Sequence, residues 1–301
     1  MKLQTIVDIM PSAWKIGYED KILMLGSCFA DEIAEQMAQR YLAVTRNPFG
    51  TLYNPLSIAQ ALQMTAIPPL VEHDGLWHSM AHHGAFSRST KEEAEKTVRS
   101  SIETMQRALE EANVVIVTFG TAWVYEWSVG SSQLSVVSGQ WSVGSGQLSV
   151  VSGQWSAVVG NCHKMPAECF TRRRLTAEEI IAAWQPIIER YADKHWIFTV
   201  SPIRHVKDGL HENQLSKATL LQAVDVISNQ YAAVSYFPSY EIMLDELRDY
   251  RFYADDLVHP SSLAVQYIWE RFIDCFCTPQ TRNEMNIQHK RWKQTQHRPL
   301  H

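Results

Sequence analysis

No apolar run in this 301-residue chain approaches the length of a membrane span, so a membrane-crossing helix is not expected. The first residues, Met1 to Ile9, lack the apolar core and small-residue cleavage site of a secretory leader, and no signal peptide is expected. Cysteine is scarce. The five, at positions 28, 162, 169, 275 and 277, are odd in number and match no zinc-ligand spacing. A reduced, cytoplasmic protein without a metal is the simplest expectation. Excess positive charge is lacking too: 27 Lys and Arg against 32 Asp and Glu leave a net charge of −5, which argues against a general nucleic-acid binder. The run Arg172-Arg173-Arg174 is too short to make a phosphate groove.

Hydrophobic residues make up 46% of the chain and charged residues 20%, the balance of a globular protein large enough for one big domain. Strand-like and helix-like segments alternate. Short buried strands are expected at 21–25, 114–120, 196–200 and 234–237. Helices are expected at 31–42, after the capping boxes that open at Thr90 and Thr176, at 216–229 and at 261–276. This alternation predicts an α/β fold with a parallel sheet covered by helices on both faces, in which functional residues gather beyond the carboxyl ends of the strands. One domain is expected over residues 1–280, followed by a polar, frayed tail at 281–301.

Residues 127–154 hold two near-identical copies, WSVGSSQLSVVSGQ and WSVGSGQLSVVSGQ, and no charged residue occurs between Glu126 and Lys164. Serine, glycine and valine dominate, so this is no coiled-coil heptad. The alternation and the Ser-Gly-Gln turns predict a β-hairpin insertion at 127–160 that was extended by duplication. A sugar-binding face built from Trp127, Trp141 and Trp155 is a weaker reading than a tandem expansion without a function of its own.

Chemistry concentrates at two places. Leu25-Gly26-Ser27-Cys28 ends an apolar strand and turns directly into a helix, which sets a serine hydroxyl at the carboxyl edge of a sheet. Asp256-Leu-Val-His259-Pro260 places a carboxylate and an imidazole one turn apart. Ser27, His259 and Asp256 supply a nucleophile, a base that takes its proton, and an acid that fixes the imidazole tautomer. Ser27 alone would be read as a helix N-cap, and Asp256 and His259 alone as a turn. The three in this order favour catalysis. Cys28 is the rival nucleophile, although a free cysteine is more often a packing group. Oxyanion donors would be the backbone N–H groups of Ser27 and Gly50, with a third from the side chain of Asn47, Asn54, Thr121 or His163. Arg204 would hold a carboxylate or phosphate on the substrate or make an internal ion pair. His205 would line the pocket or be structural. Lys217 reads as a structural partner, and His78, His82 and His83 as a loop cluster without a metal-ligand pattern.

The string Gly26-Ser27-Cys28-Phe29-Ala30 resembles the motif that names the GSCFA family, and further strings carry the resemblance across roughly residues 20–275. They include Asn47-Pro-Phe-Gly50 with Asn54-Pro55, Phe119-Gly-Thr-Ala-Trp123, Asn161-Cys-His163, Ser201-Pro-Ile-Arg204-His205, Glu212-Asn213 with Ser216-Lys217, and Asp256-Leu-Val-His259. That family is similar to the SGNH hydrolases, serine esterases on a flavodoxin-like three-layer α/β/α sheet. The resemblance therefore implies an esterase with a Ser27–His259–Asp256 triad, an acyl-serine intermediate, no cofactor, and a small-molecule or carbohydrate ester as substrate. An acyltransferase with the same triad, or a catalytically silent ligand-binding protein, are the alternatives. The SGNH pattern carries an oxyanion-binding asparagine in a G-x-N-D element. Here Ala122 stands at that place, so the donor is expected elsewhere or the chemistry differs.

Overall fold

A computed structural model describes residues 4–128 and 156–296. In chain order the elements are β1 (Lys21–Gly26), α1 (Cys28–Ala38), β2 (Ala43–Arg46), α2 (Pro55–Gln63), β3 (Leu70–His73), β4 (Leu76–Ser79), α3 (Lys91–Glu111) and β5 (Val114–Phe119). They continue with β6 (Trp123–Ser128), β7 (Ser156–Val158), β8 (Phe170–Arg174), α4 (Ala177–Arg190), β9 (His195–Val200), α5 (Leu210–Gln230) and β10 (Val234–Phe237). A single turn α6 (Ser239–Glu241), then α7 (Ser262–Phe276) and α8 (Pro279–Gln296) complete the chain.

Five strands form one parallel sheet in the order β10-β9-β5-β1-β2. Counted within the sheet this is 2-1-3-4-5, so the winding direction reverses between β1 and β5. β1, β5 and β9 are apolar on both sides because both faces are covered. Leu23, Leu25, Val115 and Val117 pack with α2, α3, α4 and α5, while Ile22, Met24, Val114 and Ile116 pack with α1 and α7. The predicted α/β fold with a helix-flanked parallel sheet is therefore the observed one.

Local chemistry sets the helix starts. Thr176 and Glu179 form a full capping box, Thr90 accepts from Glu93 N–H, and Asn54 accepts from Ser57 N–H just before Pro55. Three boundaries differ from expectation. Helix α1 begins at Cys28, directly after Ser27, and α5 begins at Leu210. The expected frayed tail is helical as far as Gln296. Thr278 Oγ1 accepts from Thr281 N–H at its start, Arg282 pairs with Asp274, and Met285 is buried against the core.

Strands β7, β6 and β8 make a small antiparallel sheet at the side. β6 and β7, which flank the repeat, pair antiparallel with Trp127 opposite Ala157. Residues 129–155 of the predicted 127–160 hairpin, Trp141 and Trp155 among them, lie outside the described residues. Trp127 packs edge-on against Phe170.

Candidate active site

Strand β1 ends on Gly26 because a side chain does not fit there. Its φ is +129°, and a Cβ would lie 2.1 Å from the Thr118 carbonyl oxygen on β5. The turn is fastened from three directions. Gly26 N–H donates to Asn47 Oδ1 at 2.8 Å, Leu52 N–H to Gly26 O at 3.1 Å, and Ser27 N–H to Thr118 O at 3.3 Å. Ser27 is the N-cap residue of α1, but its side chain caps nothing. It is 1% exposed, and its Oγ is buried without a hydrogen-bond partner. An unpaired buried hydroxyl costs about 1–3 kcal/mol, so capping does not account for a serine here.

The end of β5 forms the next wall. A Cβ on Gly120 would fall 3.4 Å from Ser27 Cβ and 3.1 Å from the Tyr53 carbonyl, which accepts from Gly120 N–H and Thr121 N–H. His205 lies against the Gly120 carbonyl, and its ring meets that of Tyr53 edge-on at 6.3 Å. Burial, followed by the charge of Lys217, pushes the His205 pKa down to about 4. Its Nε2 is buried and has no partner. Lys217 is fully buried. Its Nζ donates to Gly120 O and to Ser201 O, both at 2.7 Å, which ties the carboxyl ends of β5 and β9 together. It makes no ion pair among the described residues, and burial pushes its pKa down to about 7.

The Asp256–His259 pair lies on the loop that precedes α7. His259 Nδ1 lies 2.6 Å from Asp256 Oδ2, while Asp256 Oδ1 accepts from the backbone N–H groups of Val258 and His259, each at 2.9 Å. Those N–H groups, His259 first, and then the imidazole hold the Asp256 pKa down at about 2. Ala254 N–H donates to His259 O and closes the loop. Arg204 fastens it to the segment after β9: its N–H donates to Val258 O at 3.3 Å, and its guanidinium donates to Leu257 O while stacking over Tyr253. Through Arg204, His205 and Gly120 the pair belongs to the same strand-end region as Ser27. No hydrogen bond joins Ser27 to His259.

The structure redistributes the other predicted site residues. Gly50 is not an open donor: its N–H donates to Asn47 O at 2.7 Å, and its φ of +75° serves a close approach to His83. Asn47 has both ends of its amide engaged, by Gly26 N–H and by Asp31. Thr121 Oγ1 accepts from Trp123 N–H and meets Ser216 Oγ at 3.1 Å. His163 stacks on His78 and has Nε2 on Ser79 O. It belongs to a side cluster in which His82 is held between Ser79 Oγ and Ser101 Oγ and stacks on Phe49. Arg204 uses one Nη of its guanidinium on Leu257 O, while its Nε is buried without a partner. Asn54 keeps a free end: Oδ1 caps α2, and no hydrogen bond among the described residues uses Nδ2. Ala122 faces the core, and its N–H donates to Ser216 Oγ, so position 122 does not line the site. The Cys28 thiol is half-buried and pushed above its ordinary pKa by burial, the wrong direction for a nucleophile.

Two features escaped the sequence reading: the Tyr53 carbonyl that holds Gly120, and the Arg204 clamp. Tyr53 sits inside the Asn47–Asn54 string, but nothing local marks a backbone carbonyl as functional. A groove of about 620 Å³ is lined by Pro48, Phe86, Arg88 and Lys96 and by none of the site residues. Among the described residues, no set of three His, Cys, Asp or Glu side chains is placed to hold a metal ion, and no helix is long and apolar enough to cross a membrane. In comparison with known proteins, the GSCFA family model matches residues 21–139 and 148–272. Neither a curated protein nor a solved structure matches the chain.

Proposed function

We propose, from the premise that the chain belongs to the GSCFA family, that it is a serine hydrolase of the SGNH type that cleaves an ester. The observation that carries this reading is the 2.6 Å Asp256–His259 contact on a loop clamped beside the strand ends where Ser27 Oγ lies unpaired. In the reaction, Ser27 Oγ attacks the ester carbonyl carbon as His259 Nε2 takes its proton. Asp256 accepts the other imidazole N–H and stabilises the imidazolium. The tetrahedral intermediate collapses, the alcohol leaves with the proton from His259, and water then attacks the acyl-Ser27 carbonyl to release the acid. With Gly50, Asn47 and Thr121 engaged elsewhere, Asn54 Nδ2 is the side-chain donor left to serve the oxyanion. The substrate class offered by fold analogy is an O-acyl carbohydrate in the cytoplasm.

A second reading is an acyltransferase using the same residues. It differs only in the second step, where an acceptor alcohol in place of water attacks the acyl-Ser27 carbonyl. Addition of acceptor alcohols would divert acyl groups from hydrolysis in that case.

The test is intact-protein mass spectrometry after exposure to a serine-directed fluorophosphonate and to activated short-chain esters. One adduct on Ser27 is expected. It should be absent in Ser27→Ala and form at least about a hundredfold more slowly in His259→Ala and Asp256→Asn. An adduct on Cys28 would move the chemistry to a thiol. No adduct on protein shown by circular dichroism to be folded would leave the ligand-binding reading.

A further inference from the structure

The hydrogen bonds of the histidine cluster beside the Asn47–Gly50 loop leave one proton over. His82 is buried, and that burial, followed by the charge of His163, pushes its pKa down to about 3, so the ring is neutral. A neutral imidazole has one N–H and one lone pair. Its Nδ1 lies 2.7 Å from Ser79 Oγ and its Nε2 2.7 Å from Ser101 Oγ. One serine therefore donates to the ring and the other accepts from it, and the accepting serine keeps its own hydroxyl proton unspent. No other hydrogen bond among the described residues uses either hydroxyl. On Ser79, which is 2% exposed, a spare proton would be buried without a partner, at a cost of about 1–3 kcal/mol. Ser101 lines the groove of about 620 Å³. The ring therefore takes the Ser79 proton on Nδ1 and donates from Nε2 to Ser101, which leaves the Ser101 O–H to donate into the groove.

Other groups in the groove are unspent too. Lys96 makes no ion pair among the described residues, whereas Lys91 on the same helix reaches Glu95. Arg88 uses Nη1 on the Ala85 and Ser87 carbonyls, and no hydrogen bond among the described residues uses its Nη2 or Nε. Thr97 and Thr104 spend their hydroxyl protons on Glu93 O and Ser100 O, each at 2.8 Å, and offer only lone pairs to the groove. Phe86 and Pro48 are its apolar members, and the Phe86 ring meets that of His82 with centroids 5.2 Å apart. We infer that this groove is a second binding site, for a sugar that carries an acidic group. Lys96, the open side of Arg88 and the Ser101 O–H receive the anion, and a phosphate or a carboxylate satisfies them alike. Thr97, Thr104 and the Glu93 carboxylate accept from sugar hydroxyls, while Phe86 and Pro48 cover the C–H face of the ring. The volume falls in the range of small-molecule sites, about 300–1,000 Å³. None of the strand-end site residues lines the groove, so the inference stands apart from the ester-hydrolase reading.

Calorimetry on the full chain tests it with glucuronate, glucose 6-phosphate, glucose and inorganic phosphate. At least one of the two acidic sugars should bind about tenfold or more tighter than glucose, and the tighter of them identifies the anion. Lys96 is exposed, so Lys96→Ala leaves the fold intact and should weaken that binding about fivefold or more. Ser101→Ala, on protein shown by circular dichroism to be folded, should weaken it severalfold. Failure of both acidic sugars to bind, glucose binding as tightly as they do, or binding unchanged in Lys96→Ala would overturn the inference. Inorganic phosphate binding as tightly as glucose 6-phosphate would overturn its sugar half. The relay is read without any ligand: long-range proton–nitrogen NMR correlations should find His82 neutral with its proton on Nε2. A proton on Nδ1 would hand the spare hydroxyl proton to Ser79 and overturn the assignment of Ser101 as a donor. No readout here depends on ester turnover, so loss of the hydrolase reading leaves the test in force.

Discussion

Ser27 and the Asp256–His259 pair are held in opposite ways. The serine stands at the end of a mid-sheet strand, and the backbone around it is spent on the fold: Gly26 N–H on Asn47, Gly26 O on Leu52, Ser27 N–H on Thr118. The pair hangs on a closed loop, with side chains 49% and 48% exposed, and depends on one arginine and a left-handed leucine. The first half is part of the hydrophobic core and inherits its rigidity. The second half meets the core through Val258 and the flanking Phe252 and Tyr253, and the placement of its two exposed side chains rests on a few polar contacts that can be removed one at a time. The difference predicts that substitutions near Ser27 will read out as folding and substitutions near His259 as rate.

Two glycines with positive φ make the sharpest comparison. Gly26→Ala would drive a Cβ to 2.1 Å from the Thr118 carbonyl oxygen. It should cost at least about 3 kcal/mol and leave little folded protein. Gly209, at φ +89° on the loop side, has nothing within 4 Å of a built Cβ. Gly209→Ala should cost only its backbone strain, about 1–3 kcal/mol, without the added clash. Urea unfolding of the two variants checks this, and equal costs would remove the distinction between the halves.

A smaller effect is expected at Lys217, which ties the ends of β5 and β9 from below. Replacing it with Met leaves the Gly120 and Ser201 carbonyls unpaired in the core and should destabilise by about 2 kcal/mol. The pH dependence gives a second readout. The lysine titrates near about 7 when folded against an ordinary 10.5. Between those values the unfolded chain binds more protons than the folded one, so this group makes stability rise with pH from about 7 upward. Below about 7 both states are protonated and its contribution is flat. Denaturation from pH 6 to 10 should show a shallower rise in Lys217→Met than in wild type. An unchanged slope would mean that the buried amine keeps its proton throughout.

How much of this was legible in the chain follows the same division. The strand, the Gly-Ser turn and the helix after it are local, and so is the D-x-x-H spacing, so the strand-end turn at Ser27 and the Asp256–His259 contact are legible in the chain, and β5 and β9 fall within a residue of their expected bounds. Gly50 and Asn47 were misread because their work is done through backbone amides and a partner on another element, which composition does not record. The short, half-exposed β2 carries no strong alternation and was missed. Helix α8 reads as a frayed tail in the sequence because its polarity hides the single buried Met285 and the Thr278 cap that hold it. Ala122 looked like a missing oxyanion donor from motif alignment alone, yet the fold turns that position into the core.

Arg204 offers the finest test, because the sequence leaves it between a substrate anion and an internal ion pair, and its guanidinium donates to the Leu257 carbonyl of the loop. Arg204→Lys keeps the charge but loses the planar fork that reaches Leu257 O while stacking between Tyr250 and Tyr253. A role confined to stability would lower the melting temperature and leave kcat for the proposed ester hydrolysis alone. A positioning role predicts the reverse: stability within about 1 kcal/mol of wild type, with KM little changed and the rate of acyl transfer to Ser27 down about fivefold to tenfold, since small misplacement of a base is costly in rate. If KM rises instead with kcat unchanged, the guanidinium is binding substrate after all, and the loop must owe its shape to the Ala254–His259 closure and the Asp256 turn alone.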